Sequence, residues 1–282
     1  MKKYLPFISP KSLTILTIVV SAVLLASCDK QGVLDNANLL TFASLTDTPI
    51  TKTTIDNVWS GGEQVQVSID NGTAISFIAA PSGTLTPLSP IHWQNSSQSI
   101  SARAWYPASW TFPVDQSGGL QPADFIFATT VTGITALNYV DNPLVFRHRT
   151  AKVTVNLTEG TDISSVNGAA VSFFGYTSGN AETSDAGDGL ITGLGDGWIT
   201  PQSNSDTYTA LLIPREMTGI PFVRITIGGI DYFYTPATGQ AVLQQGMAYT
   251  YNITVHKTRL DVEVVDNMEW RDSDEYDVIP TN

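Results

Sequence analysis

Little in this chain is equipped for catalysis. It holds three histidines, His92, His148 and His256, and no two of them stand four residues apart as a helical zinc pair would. A zinc centre takes roughly three or four nitrogen, sulfur or carboxylate ligands, and Cys28 is the only cysteine. There is no Gly-x-Ser-x-Gly elbow, phosphate-binding loop or dinucleotide fingerprint. The expectation is a protein that is not an enzyme and takes no cofactor and no metal. The one catalytic device with no linear signature is a carboxylate pair of the kind glycosidases use. Asp185-Ala-Gly-Asp188-Gly189 and Gly195-Asp196-Gly197 place acids among glycines. Calcium wants about six or more oxygens in a cage, whereas this spacing fits no standard loop and no Glu closes it, so both read as exposed turns. Trp105, Tyr106 and Trp110 cluster around Pro107. They read either as an aromatic platform that stacks on a sugar ring or as core aromatics at a strand end. Arg147-His148-Arg149 reads either as a site for an acidic partner or as a set of side chains paired with carboxylates on the wet face of a strand.

The residue with a definite chemical task is Cys28. Lys2, Lys3 and Lys11 precede an uncharged apolar stretch, Leu13–Leu25, and then Leu25-Ala26-Ser27-Cys28. Small residues let a signal peptidase close on the backbone, and a thiol at the first mature position can accept a diacylglyceryl thioether. The pattern resembles the bacterial lipobox, and the stretch is short for a membrane span. Residues 1–27 are thus expected to be a lipoprotein signal peptide, and Cys28 to carry acyl chains such as palmitate. Two chains give firm attachment, here to the outer membrane. An acylated lone thiol leaves no disulfide within the chain. The net charge of −12 argues against nucleic acid as a partner. A hydrophobic content of 42% supports real cores rather than a disordered stalk.

The elements that would position these residues are strands. Val65, Val67 and Ile69 alternate with polar neighbours, as do Val153, Val155 and Leu157, and Tyr249, Tyr251, Ile253 and Val255. Period two puts one face in a core and the other in water. Further β-like runs are Leu39–Leu45, Ala74–Ala79, Ile100–Tyr106, Phe125–Val131, Val171–Tyr176, Thr207–Ile213, Phe222–Ile227, Tyr232–Tyr234 and Val262–Val265, with no capped helical period after Cys28. Many short strands between turn residues read as all-β, with β-sandwiches. Residues 28–38 read as a tether. Asn142-Pro143 marks a boundary between an N-terminal domain, 39–141, and a C-terminal domain, 142–282. The Gly, Ser, Asp and Asn content of Thr177–Gln202 reads as a long exposed loop.

Several segments, in order, resemble the fimbrillin family, the subunits of type V pili. They are Thr51-Lys52-Thr53 followed by Trp59-Ser60-Gly61-Gly62-Glu63, Ala104-Trp105-Tyr106-Pro107, Leu144-Val145-Phe146-Arg147-His148-Arg149-Thr150-Ala151-Lys152-Val153, Tyr208–Pro214 and Gly246–Val255. The resemblance implies two transthyretin-like β-sandwich domains in tandem, the second opened by the Leu144–Val153 segment. It also implies a lipid-anchored precursor, a surface protease that cuts after a basic residue, and loss of the first strand. A strand from another pilin subunit then fills the groove by β-strand addition. Mapped here, Leu39, Leu40, Phe42 and Leu45 belong to the displaced strand and Lys52 is the candidate cut, where stalk subunits of the family commonly present Arg. Tyr276, Val278 and Ile279 are the apolar residues of a short candidate donor strand, and that short tail favours a tip or minor subunit over a stalk subunit. The alternative is a surface lipoprotein that binds carbohydrate without polymerising; a host or bacterial glycan or protein would then be its partner.

Overall fold

The computed structural model describes residues 38–46, 59–265 and 268–270. Strands dominate it, and there is no α-helix among the described residues. The first seven strands are β1 (Phe42–Thr46), β2 (Gln64–Ile69), β3 (Ile75–Ala79), β4 (Thr84–Pro87), β5 (Ile100–Tyr106), β6 (Ile126–Ile134) and β7 (Leu144–His148). Hydrogen bonding joins them in the order β1-β4-β3-β2-β5-β6-β7, and β1 and β7 close the ring into a barrel. Where the residue pattern suggests a sandwich, β1 instead closes the sheet and leaves no free edge between β4 and β7. Alternation builds the barrel core as period two requires: Val65 and Val67 on β2, Phe77 and Ala79 on β3 and Leu85 on β4 are all buried.

The second set comprises β8 (Ala151–Glu159), β9 (Ala170–Ala181), β10 (Ile191–Ile199), β11 (Gln202–Asn204), β12 (Thr207–Leu212), β13 (Arg215–Glu216), β14 (Val223–Ile227), β15 (Ile230–Tyr234), β16 (Val242–Leu243), β17 (Met247–Val255), β18 (Leu260–Val264) and β19 (Met268–Glu269). One sheet runs β10-β9-β14-β15. The other runs β11-β12-β8-β17-β18, with β19 pairing on β17, and β13-β16 form a two-stranded ribbon. Val153, Val155 and Leu157 of β8 and Tyr249, Tyr251, Ile253 and Val255 of β17 fill the core between the larger sheets, facing Phe173, Phe222 and Ile225.

Three features differ from what the residue pattern suggested. The expected boundary at Asn142-Pro143 falls just before β7, which pairs with β1 and β6 in the first set, so the Leu144–Val153 segment spans the end of one set and the start of the next. The expected loop at Thr177–Gln202 is mostly a long hairpin: β9 runs to Ala181, β10 starts at Ile191, and they pair from Ile191–Ala181 through Ile199–Phe173. Its glycines mark close approach rather than disorder: a Cβ at Gly193 would run into the Tyr176 ring, and one at Gly179 would sit 2.8 Å from Ile213 Cδ1. Third, the connection from β5 to β6 is an arm that reaches into the second set. Its Phe112, Leu120, Ala123 and Phe125 belong to the second core. The side chain of Gln116, buried at 1% exposure, donates to the Leu211 carbonyl and accepts from the Leu211 N–H, both at 2.8 Å. The end of β5 and the start of β6 are therefore covered on both faces. Ile126 and Ala128 face the barrel core, whereas Phe127 faces the second core.

Candidate functional site

The site with the most distinctive construction is the place β1 occupies. β1 lies antiparallel to β4 through Phe42–Leu85 and Ala43–Thr84. On its other side it runs parallel to β7 through Ser44–Leu144, Leu45–Val145 and Thr46–Phe146. Just before it, the chain continues along the barrel: Leu40 N–H donates to the Ile91 carbonyl at 2.7 Å and Trp93 N–H to the Asn38 carbonyl at 2.9 Å. Both neighbours of β1 are distant in sequence, so no hairpin ties it down.

The inward residues of this segment are Leu40, Phe42 and Ser44, at 3%, 1% and 4% exposure. Leu39 and Leu45, the other apolar residues of the expected displaced strand, stand on the other, half-exposed face. Period two explains the difference, because positions 40, 42 and 44 share a face and 39 and 45 do not. Ser44 is the residue a hydrophobic scan passes over. Its Oγ donates to the Gly83 carbonyl at 2.6 Å and accepts from Trp59 Nε1 at 3.0 Å. A Cβ at Gly83 would stand 2.6 Å from the Ser44 carbonyl oxygen, so this close crossing needs glycine. Phe42 meets Phe77 with ring centroids 5.4 Å apart, and Trp59 sits edge-on to Phe146 at 5.5 Å and to Tyr106 at 5.8 Å. Lifting β1 out would uncover this aromatic floor.

The second set contains the same wiring. β8 lies antiparallel to β12 and parallel to β17, as β1 lies between β4 and β7. The filling differs. β8 has nine residues, pairs with β12 from Thr207–Asn156 to Leu212–Ala151 and with β17 from Ala248–Lys152 to Val255–Glu159. β1 has five residues and the short registers given above. Among the described residues, the ladders of β1 are the shorter ones.

The aromatic trio at the end of β5 is split by the strand's own alternation. Trp105 packs against the second core and Tyr106 against the barrel core. The Tyr106 hydroxyl accepts from Gln121 Nε2 at 2.7 Å, and burial pushes its phenol pKa above the ordinary tyrosine value. Trp105 and Trp110 instead share a cleft of about 330 Å³ with Pro107, Phe125, Asn180, Ala181 and Thr183. Asn180, Ala181 and Thr183 lie at the end of β9 and in the turn after it, inside the segment read as a loop, so their composition gave no pointer to the cleft.

The basic knot is also rearranged. His148 and Arg149 are buried rather than on a wet face. His148 Nδ1 is 2.8 Å from Asp124 Oδ1, and its ring stacks on Trp270 at 3.7 Å. Arg149 lies 3.7 Å from Asp188 and over the Phe127 ring. Of the other acids in the Gly/Asp segments, Asp196 pairs with Arg215 and Asp185 accepts from the Thr130 hydroxyl. Cys28, Lys52, Tyr276, Val278 and Ile279 lie outside the described residues.

Comparison with known proteins agrees with this architecture. A candidate cell adhesion protein from Bacteroides uniformis has a TM-score of 0.67 at 17% identity, over 83% of this chain and 99% of that one. A second candidate cell adhesion protein, from Bacteroides ovatus, has a TM-score of 0.58 at 14% identity, over 82% and 96% of the two chains. These likenesses concern the fold. The search of curated proteins found no match. The sequence model of the fimbrillin-like family matches residues 51–269. That family is one of structural fimbrial and adhesion proteins and not of enzymes. This chain, all-β and wired as described, belongs to the fimbrillin-like family.

Proposed function

We propose that this chain is a fimbrial subunit, exported as a lipoprotein precursor and assembled by exchange of its first strand. The observation that carries the reading is the unequal pairing of two strands in the same wiring. β8 pairs at six positions with β12 and eight with β17, whereas the described part of β1 pairs at two positions with β4 and three with β7. The repeated wiring also supports two related domains in tandem, of the transthyretin-like kind.

In this reading Cys28 carries the lipid that holds the precursor at the outer membrane. Cleavage after Lys52, in the connection between β1 and Trp59, frees the chain segment that contains β1. Two buried residues of that segment, Leu40 and Phe42, contribute on the order of 1.5–3 kcal/mol each by leaving water. Losing them is a large fraction of a typical total of about 5–15 kcal/mol. The open barrel would also present unpaired backbone along β4 and β7. A strand from a neighbouring subunit restores both terms, and a head-to-tail contact of this type propagates as a filament. The tail bearing Tyr276, Val278 and Ile279 is the candidate donor.

The test is the N-terminal residue of the protein sheared from intact cells, in wild type and in Lys52→Ala. A start at Thr53 that is lost in the variant, together with loss of high-molecular-weight assemblies, is the expected result. A chain that stays acylated at Cys28 while assemblies form normally would overturn strand exchange.

A further inference from the structure

The cleft at the end of β5 is independent of the β1 slot, and strand exchange makes no use of it. We infer that it is a binding site for a neutral pyranose ring, presented where the two strand sets meet. Three observations point to this ligand class. The first is the wall chemistry. Trp105 and Trp110 are half-buried rather than sealed in a core, and both line the cleft with Phe125 behind them. Trp105 is stacked parallel on Phe127, with centroids 6.5 Å apart and planes 16° from parallel. The Trp110 indole N–H is already used, donating to the Ala123 carbonyl at 3.2 Å. The exposed ring atoms supply the smaller, apolar part of a lining whose accessible surface is mostly polar, a balance that suits a sugar with one C–H face and a rim of hydroxyls.

The second observation is the rest of the lining. Asn180, which is exposed, and Thr183 bring residues with an amide and a hydroxyl to the same cleft. Aromatic surface together with hydrogen-bonding groups is the usual division of labour in a site that orients a polyol. This lining is also held in place. The Arg103 Nε donates to the Thr183 carbonyl at 2.9 Å, while its Nη1 donates to Asn71 Oδ1. The third is size and charge. A cleft of about 330 Å³ is at the small end for ligand sites, enough for one ring with its neighbours in solvent. None of the cleft-lining residues is charged, and Arg103, the nearby cation, is committed to protein partners. With a net charge of −12 on the chain, acidic sugars are disfavoured.

Tyr106 takes no part in this site, since its side chain lies on the other face of β5. The cleft needs Asn180 and Thr183 from the second strand set, so a peptide carrying the aromatic motif alone would not bind.

The test uses the chain from residue 29 onward. Its tryptophan fluorescence and amide chemical shifts are followed during titration with lactose, maltose, mannobiose, chitobiose and, as an acidic arm, sialyllactose. At least one neutral disaccharide is expected to saturate with a dissociation constant on the order of millimolar, as befits a single stacked ring. Sialyllactose should bind no better than its neutral core. Trp110→Ala should weaken binding about tenfold. Because Trp110 also packs on Phe112 and Phe125, Ala108→Trp serves as a second variant: position 108 is exposed on the rim, and the added ring should block the cleft without disturbing the fold. Saturation by no neutral sugar, or saturation unchanged in Ala108→Trp, overturns the assignment. Neither outcome bears on cleavage at Lys52, so the two proposals fail separately.

Discussion

Ser44 shows how much a single polar atom can control on an inward strand face. Its hydroxyl links the Trp59 indole to the Gly83 carbonyl, so Ser44→Ala would leave a buried indole N–H without its acceptor. That should cost about 1–3 kcal/mol, read as a shift in the urea midpoint of the precursor. Adding Trp59→Phe removes the orphaned donor, and the double variant should lose less than the sum of the two single losses. A chain beginning at Thr53 no longer contains Ser44, so the coupling must vanish there. Tyr251 supplies a pH counterpart. Burial raises its pKa far above the ordinary value, and its hydroxyl donates to the Gln240 carbonyl at 3.0 Å. The unfolded phenol ionises near pH ~10, while the folded one keeps its proton. The folded state thus binds more protons above that pH, and stability is full below about pH 10 and falls as pH rises further. Tyr249, Tyr208 and Tyr234 are raised by burial as well. Tyr251→Phe should therefore flatten the alkaline limb of a stability-versus-pH curve. At this scale the sequence was informative where alternation was clean, as at Tyr249–Val255. It was less informative at Leu39–Leu45, where the apolar residues fall on both faces and the inward polar residue is Ser44.

Among the elements, the β9–β10 hairpin was the least legible. Glycine and aspartate normally announce turns, and the segment has both in quantity. What composition alone does not reveal is that a glycine can serve a strand by yielding room to a neighbour's ring. Tyr176 lies across Gly193, and Arg215 stands over the Tyr176 ring at 4.7 Å. Gly193→Ala should force that ring aside and cost about 1–3 kcal/mol, with loss of protection from hydrogen exchange confined to residues near 176 and 193. A loop at this position would tolerate the change within about 0.5 kcal/mol. The strands of the two cores were legible for the opposite reason: β2, β8 and β17 each bury one face, so their sequence alternates. β6 reads Phe125-Ile126-Phe127-Ala128 where the chain enters it, an apolar run with no alternation. Such a run marks a strand covered on both sides, and it is the one signal in the sequence for the junction between the two strand sets.

Across the whole molecule, that junction decides how loss of β1 is felt. The arm between β5 and β6 inserts Phe112, Leu120 and Phe125 into the second core and clamps Leu211 through Gln116. From the other end of the chain, Trp270 stacks on His148 at the end of β7. Half of the barrel wall is thereby held by contacts that do not involve β1. Among the described residues, the strand neighbours of β4 are β1 and β3 alone. Removing β1 should therefore loosen the barrel unevenly rather than unfold the chain. In a protein cut after Lys52 and stripped of its N-terminal segment, hydrogen exchange should accelerate at least about tenfold in residues 84–87 and at the start of β7, near Leu144. Residues 126–128, 151–157 and 249–255 should keep their protection, because opening there requires breaking the second core. Uniform loss of protection across both sets would mean that β1 is integral to one cooperative unit. A strand whose removal collapses the whole molecule could not serve as the replaceable plug of an otherwise stable acceptor, so this measurement separates a displaceable β1 from an ordinary structural one.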